Sequence, residues 1–280
     1  MNGRLLDRLY TFARELPRLL EEDVRSVIVF GSAARPEDFV PGLSDVDVLV
    51  LVEELPKRRH YYFDFEGHEV NVAVYMFDEL LALYSMGDPL VHMLRHSLVV
   101  YDSGLVESLP AEAEVTEHTL RALRRSVFAA LGLAVEKYFA GFYRETISHL
   151  YHSIRHLIRY DCVLRGEQFP VSDAEVRSAA GDELEGLFLL FLETRRKEEI
   201  ARAEAAWLIE QIVDVLCRYL GLKPTTLRQL ETAVWGDALT VVACEEAGSL
   251  IFKVERYMEG GSRILKVKGG EVKEAENLIC

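Results

Sequence analysis

Asp45 and Asp47 are spaced so that they could hold a metal ion together. They lie two residues apart in a run that is otherwise apolar up to Val52. Residues with this spacing on a β-strand project from the same face. Two adjacent carboxylates in an apolar strand repel each other and are costly to desolvate, and a cation between them offsets both penalties. Oxygen ligands suit Mg²⁺ or Mn²⁺, which also bind phosphate oxygens, so we predict Asp45 and Asp47 as metal ligands and catalytic residues.

A glycine-serine pair precedes these aspartates. Gly31 and Ser32 directly follow an apolar run, residues 24–30, that predicts a buried strand. Glycine lets the backbone approach a ligand closely, and a helix beginning at Ser32 would aim backbone N–H groups at a phosphate. Arg35 is near enough in sequence to pair with phosphate oxygens. Together with Ser44, which opens the Ser-Asp-x-Asp segment, these residues predict a nucleotide-binding site.

Each half of this pattern also has an ordinary explanation. Gly31-Ser32 alone is typical of a turn, and Asp45 with Asp47 could be a solvated, structural pair at the start of a strand. The combination is more specific, because a strand, Gly-Ser, a loop containing Pro and Gly, and Ser-Asp-x-Asp on a second strand follow in that order. We therefore favour one site for a nucleoside triphosphate and a metal ion.

An α/β unit over residues 1–105 is predicted to position this site. Helical spacing of apolar residues, continuous apolar runs and the turn triplet Glu66-Gly67-His68 distinguish its helices, strands and hairpin. The predicted order is α-β-α-β-β-β-α-α-β. Its elements are a helix at 4–21, a strand at 24–30, a short helix from Ser32, strands at 45–52, 61–65 and 69–75, helices at 77–85 and 89–96, and a strand at 98–101.

The rest of the chain is predicted to form an all-helical bundle and a small β appendage. Five helical segments follow residue 112; Thr116 is a good N-cap for the first, and Ser172 with Glu175 forms a capping box for the third. The last stretch alternates apolar and polar residues like strands. The predicted domains are residues 1–105, 112–222 and 223–280.

The segment GSAARPEDFVPGLSDVDVLVLV resembles the signature of the DNA polymerase β-like nucleotidyltransferase superfamily, and within it the minimal nucleotidyltransferases of archaea and bacteria. The resemblance covers residues 20–105. It implies an α/β (α+β) domain with a mixed sheet, dependence on Mg²⁺, and transfer of an NMP, AMP in the first instance, from an NTP to a hydroxyl group. Gly31 and Ser32 would then contact the triphosphate, and Asp45 and Asp47 would bind the metal.

The helical segment from Tyr138 to Gly166 is similar to the HEPN-like domains that accompany minimal nucleotidyltransferases. We expect the helical domain to position the acceptor or to mediate self-association into a homo-oligomer. Active HEPN ribonucleases carry an Arg followed, a few residues later, by a His on a late helix. No histidine follows Arg195 and Arg196, which argues against ribonuclease activity.

A third carboxylate is the part of the superfamily pattern that this chain lacks. The superfamily places it on a later strand of the same sheet, and the matching position is Asn71. Asparagine is neutral, cannot act as a general base and is disfavoured inside strands. Its place among valines predicts a ligand contact or a polar network, with a solvent-facing position as the ordinary alternative. Glu69, two residues back and roughly 6.6 Å along the strand, is a further catalytic candidate.

Charge and hydropathy narrow the class of protein. The net charge is −14, which disfavours a non-specific nucleic-acid binder because such a protein must neutralise phosphates. No apolar run reaches the roughly 18 residues of a membrane span, and the first residues lack a secretory apolar region. We expect a cytoplasmic protein with no membrane partner.

Two classes of function follow. The first is a Mg²⁺-dependent nucleotidyltransferase that uses an NTP, foremost ATP, and a hydroxyl acceptor on a protein, an RNA or a small molecule. The second is a catalytically degenerate nucleotide-binding module, a regulatory or antitoxin-like partner of another chain, in which nucleotide binding outlasts transfer because of Asn71. An aminoglycoside-type nucleotidyltransferase shares the layout but has no specific acceptor signature here.

Overall fold

The computed structural model describes residues 3–234, 238–258 and 261–279, and the remaining residues of the predicted domains lie outside these ranges. The chain divides into two compact units. The first comprises Met1–Ala122 and Gln168–Glu175, and the second comprises Leu123–Glu167 and Val176–Cys280. A short segment that is distant in sequence therefore completes the N-terminal unit.

The elements of the first unit follow the predicted order. The short helix predicted from Ser32 is a four-residue 3₁₀ turn, Gly31–Ala34. The other elements are α1 (Gly3–Leu19), β1 (Val24–Phe30), β2 (Val46–Val52), β3 (His60–Phe65), β4 (His68–Met76), α2 (Phe77–Met86), α3 (Pro89–Met93), a 3₁₀ turn (Leu94–His96), β5 (Leu98–Asp102), a second 3₁₀ turn (Val106–Ser108) and the start of α4 (Glu117–Phe139).

These five strands form one mixed sheet in the order β3-β4-β2-β1-β5. Strands β2 and β4 are parallel, and every other neighbouring pair is antiparallel. The predicted mixed sheet is therefore confirmed. Strand β2 occupies the centre and is buried on both faces, which explains its continuous apolar run.

Alternating side chains of β2 pack into two hydrophobic cores on opposite faces of the sheet. The even-numbered valines from Val46 to Val52 lie in the core that contains residues of α1. Leu49 and Leu51 lie in the core that contains residues of α2 and α3. Asp45 and Asp47 precede Leu49 at the same spacing of two, so they lie on the α2–α3 face of the sheet.

The second unit combines helices with a four-stranded antiparallel sheet. The sequence predicts the helices and a small β region after them, but not the number of strands. The predicted capping box lies in the segment Gln168–Glu175 of the first unit, where Ser172 Oγ accepts from Glu175 N at 3.2 Å and Glu175 Oε2 accepts from Ser172 N at 3.1 Å. The elements after α4 are α5 (Tyr143–Leu164), α6 (Asp173–Ala179), α7 (Asp182–Thr194), α8 (Arg202–Leu220), α9 (Leu227–Ala233), β6 (Ala238–Glu246), β7 (Ser249–Met258), β8 (Gly261–Lys268) and β9 (Glu271–Ala275).

One hydrophobic core joins these helices to the C-terminal sheet. Gly132 of α4 permits a close approach, because a Cβ there would lie 2.9 Å from Val241 O and 2.8 Å from Ala243 N. Most of the segment predicted as 112–222 and the described residues of 223–280 therefore belong to one compact unit.

Helices long and apolar enough to cross a lipid bilayer are absent from the described ranges.

Candidate active site

Asp45 and Asp47 lie at the end of the sheet where β2 begins. Asp47 is the second residue of β2, and Asp45 directly precedes the strand. In the register of the sheet, Asp47 lies opposite Phe30 of β1 and Asn71 of β4. A slip of one residue would turn the valines of β2 away from the α1 core, so the packing of the strand fixes the face from which the carboxylates project.

The two carboxylates differ in their surroundings. Asp45 is exposed, whereas Asp47 is partly buried. Burial, the largest effect, and the charge of Asp45 together raise the pKa of Asp47 to about 7, although the Arg35 guanidinium opposes both effects. A carboxylate whose pKa is raised by desolvation and by a like charge is stabilised in its ionised form when a cation binds beside it. The pair therefore favours a positively charged ligand.

Gly31 places the backbone of the turn after β1 against Asp47. Its φ of +68° lies in the left-handed region that favours glycine, and a Cβ at this position would lie 2.5 Å from Asp47 Oδ2. The next residue, Ser32, is partly exposed. Tyr10 of α1 donates a hydrogen bond to the carbonyl of Ala33 at 3.3 Å, so the first helix holds the turn in place.

Arg35 and Ser44 are held within the loop between β1 and β2. Arg35 is 5% exposed, and its Nε donates to Asp38 Oδ2 at 2.7 Å. Its Nη1 is buried and has no hydrogen-bond partner among the described residues. Ser44 Oγ accepts from Val40 N at 2.9 Å. Arg35 acts on the site through its charge, and nucleotide contacts of Arg35 and Ser44 stay predictions.

Asn71 contacts the carboxylate pair directly. Its Nδ2 donates to Asp45 Oδ2 at 2.9 Å. Its Oδ1 is buried and has no hydrogen-bond partner in the described part of the chain. Glu69 is exposed and lies opposite Asp64 of β3. Asn71, and not Glu69, is thus the residue of β4 that lies opposite Asp47, and the catalytic role of Glu69 stays a prediction.

The donor set at this end of the sheet fits a divalent cation. Asp45 and Asp47 offer carboxylate oxygens, and the unpartnered Oδ1 of Asn71 offers an amide oxygen. Groups of three or more His, Cys, Asp or Glu able to hold a metal are absent from the described ranges. A Mg²⁺ ion is commonly bound by one or two carboxylates and completes its shell with phosphate oxygens and water, so two carboxylates are a sufficient protein contribution.

Two residues near the site, Asp38 and Tyr62, were not predicted from the sequence. Asp38 is buried, pairs with Arg35 and accepts a hydrogen bond from Asp173 N at 3.3 Å. The spacing of three residues between Arg35 and Asp38 is the only local signal of their ion pair. Tyr62 of β3 is 70% exposed and lies opposite Asn71 in the sheet register, which places an aromatic ring on the face that carries the carboxylates.

Comparison with known families supports the interpretation of the N-terminal unit. Residues 9–94 match the nucleotidyltransferase domain family. This match covers less than half of the chain and includes the turn after β1, the loop, β2 and β4. The resemblance of this region to nucleotidyltransferases is therefore confirmed, whereas the HEPN-like interpretation of the helices stays a prediction.

Solved structures give weaker likenesses. A nucleotidyltransferase-like protein from Exiguobacterium sibiricum is 16% identical, with 78% of each chain covered and a TM-score of 0.32. The spectinomycin adenyltransferase of Enterococcus faecialis, solved with ATP and spectinomycin, is 15% identical, with 76% of this chain and 99% of that chain covered and a TM-score of 0.43. Because both TM-scores lie below 0.5, these likenesses carry no conclusion about function. No curated protein matches the chain.

Proposed function

We propose that this protein is a Mg²⁺-dependent nucleotidyltransferase that moves an NMP, foremost AMP from ATP, to a hydroxyl group of a protein, an RNA or a small molecule. The observation that supports this most is the placement of Asp45 and Asp47. They share one face at the end of a mixed sheet, beside a left-handed glycine turn, inside the region that matches the nucleotidyltransferase domain family.

Asp45 and Asp47 would hold the cation, with the Asn71 amide oxygen as a further donor. In this class of reaction, a bound Mg²⁺ supplies charge neutralisation for the triphosphate and activation of the attacking oxygen. The raised pKa of Asp47 means that protons compete with the cation for this carboxylate around neutral pH. The positive charge of Arg35 opposes this effect and favours the ionised, ligating form of Asp47.

The turn at Gly31 and Ser32 would receive the triphosphate. The absence of a side chain at Gly31 lets the backbone approach a ligand next to Asp47. The Ser32 hydroxyl is partly exposed and can donate to a phosphate oxygen. Ser44 supports the same arrangement from within the loop, because its side chain fixes the backbone that leads into Asp45.

A direct transfer experiment tests the proposal. The protein is incubated with Mg²⁺ and each α-³²P-labelled NTP in turn, with and without cell extract, and labelled products are separated as protein, RNA and small molecules. Label from one NTP should enter one of these fractions, and Asp47→Asn should abolish the incorporation. Asp64→Asn is the matched control, since this exposed carboxylate lies on the hairpin away from Asp47. Binding of the NTP without transfer to any fraction would contradict the enzyme proposal.

Asn71 favours a second candidate function, a catalytically degenerate nucleotide-binding regulator or antitoxin-like partner. Its Nδ2 donates a hydrogen bond to one oxygen of Asp45. An amide N–H group therefore lies at position 71, where the nucleotidyltransferase pattern has its third carboxylate. The substitution Asn71→Asp separates the two functions. If Asn71→Asp creates a transfer activity that the parent lacks, the parent is the degenerate form; if the parent already transfers, this candidate is excluded.

A further inference from the structure

A cavity of about 300 Å³ lies within the first unit, away from the carboxylates. Its walls come from α2, α3 and the following 3₁₀ turn, residues 111–115, and the segment Gln168–Phe169. We call it the His92 pocket. Its apolar lining includes Val91, Leu94, Ala113 and Val115. This volume is at the lower end of small-molecule sites, so the pocket suits a ligand of one or two rings.

His92, one of the residues that line the pocket, carries a buried hydrogen-bond acceptor. His92 is 9% exposed, and its ring stacks on Phe169 with centroids 4.7 Å apart and planes at 7°. A hydrogen bond to the backbone of Gly87 engages the ring. The ring nitrogen Nε2 is buried and has no hydrogen-bond partner among the described residues. A buried polar atom without a partner is destabilising, and a ligand with a donor would remove that penalty.

The charges around the pocket select an uncharged donor. Burial lowers the pKa of His92; among the weaker effects, the Arg95 charge lowers it as well, while the hydrogen bond to Gly87 and the charge of Asp88 raise it. The ring is therefore neutral at pH 7. Because one nitrogen is engaged by the Gly87 backbone, Nε2 is left with a lone pair. A cationic ligand at this nitrogen would pay the same desolvation that lowers the pKa of the ring.

Arg95 attracts an anionic ligand only weakly, because its charge is already paired with the Glu175 carboxylate. Its Nη2 lies 2.8 Å from Glu175 Oε1 in an ion pair within the same unit. The exposed carboxylate of Glu112 also lines the pocket. An anionic group would therefore approach a carboxylate and a nitrogen lone pair.

We propose that the His92 pocket binds a small uncharged molecule with a compact apolar body and one hydroxyl or N–H group, which donates a hydrogen bond to His92 Nε2. Its lining includes none of the residues assigned to the nucleotide site. The inference is therefore independent of the proposed nucleotidyl transfer, and each can fail without the other.

Phenol and anisole form a matched pair of probes, because the methyl ether keeps the ring and removes the donor. Binding is measured on the full-length protein by NMR titration, with the ¹⁵N resonance of His92 Nε2 assigned by its loss in His92→Phe. Phenol should bind saturably and shift this resonance. It should also bind about tenfold more tightly than anisole, as expected for one hydrogen bond to a buried acceptor. His92→Phe keeps a flat ring against Phe169 and should bind the two probes equally.

Two further measurements locate the ligand and fix its class. Val115→Trp, at a lining residue that is 39% exposed, should block both probes while circular dichroism stays unchanged. Benzylammonium should bind more weakly than phenol. The proposal is overturned if phenol does not bind saturably, if the parent binds phenol and anisole equally, or if benzylammonium binds more tightly than phenol. It is also overturned if the preference for phenol survives His92→Phe or if phenol binding survives Val115→Trp.

Discussion

Gly31→Ala should disable the site with only a modest loss of stability. A non-glycine residue in the left-handed region costs about 1–2 kcal/mol, and φ here is +68°. The new Cβ would also lie 2.5 Å from Asp47 Oδ2, whereas ordinary contacts begin at 3.4 Å. The carboxylate or the turn must therefore give way by about 0.9 Å. Misplacement of a reacting group by about 1 Å costs about 100-fold in rate, and we expect a loss of this size in kcat/KM.

Gly42→Ala is the matched control for backbone strain. Gly42 lies in the same loop with a φ of +74°, and a Cβ there would meet nothing within 4 Å. Both variants should lose the free energy of backbone strain in urea titrations, and Gly31→Ala should lose more because its Cβ also meets Asp47 Oδ2. Only Gly31→Ala should lose pyrophosphate release from an NTP and weaken binding of Mg²⁺-ATP. Equal losses of activity in the two variants, or full activity in Gly31→Ala, would refute the role assigned to this close approach.

Three further outcomes follow from the charges of the first unit. Asp47→Asn should raise the free energy of unfolding of the metal-free protein by roughly 2–4 kcal/mol at pH 8. Because the pKa of Asp47 is raised, the folded state binds the proton of this carboxyl group more tightly than the unfolded state does. The gain in stability should therefore grow from pH 4 to about pH 7 and vanish below the ordinary pKa of 3.8. A gain that does not change with pH, in denaturation curves across this range, would contradict the raised pKa of Asp47. Asn71→Asp should tighten Mn²⁺ binding, followed by electron paramagnetic resonance, by about tenfold, and unchanged affinity would show that position 71 lies outside the cation site. Glu175→Gln should lower the free energy of unfolding by about 1–2 kcal/mol at pH 7, measured by thermal denaturation. Glu175 has a pKa of about 2, because hydrogen bonds from His96, Val171 and Ser172 and the Arg95 charge outweigh its burial; the difference should therefore disappear as the pH falls through about 2, and its persistence there would argue against these contacts.

The sequence predicts the frame of the site well, because local patterns encode it. The apolar run of β2, the turn at Gly67 and the capping box at Ser172 each correspond to an element at the expected place. The spacing of Asp45 and Asp47 also predicts their shared face, because alternation along a strand follows from backbone geometry alone.

Side-chain partners across the loop are harder to predict. Arg35 is placed by sequence beside a phosphate, but the structure buries it against Asp38. The 3₁₀ turn ends before Arg35, whose backbone is extended with a φ of −129°. No periodic pattern in the loop specifies that conformation, so only the three-dimensional packing reveals where the guanidinium lies.

Contacts between distant segments leave no local signal at all. Asp173 N donates to Asp38, and Glu175 pairs with Arg95, across separations of 135 and 80 residues. These contacts assign Gln168–Glu175 to the first unit, where the sequence predicts only the start of a helix. The wall of the His92 pocket that Phe169 provides could not be inferred from sequence for the same reason.

The phosphorus atom that reaches the acceptor shows directly whether the protein transfers a nucleotidyl group. ATP labelled with ³²P at the α-phosphate and ATP labelled at the γ-phosphate are compared under identical conditions with Mg²⁺ and the acceptor fraction. With a nucleotidyltransferase, the α-label should enter the acceptor and the γ-label should leave as pyrophosphate, and Asp45→Asn and Asp47→Asn should remove both signals. Transfer of the γ-label to the acceptor, or α-label transfer that persists in Asp47→Asn, would contradict the proposed nucleotidyl transfer at this carboxylate pair.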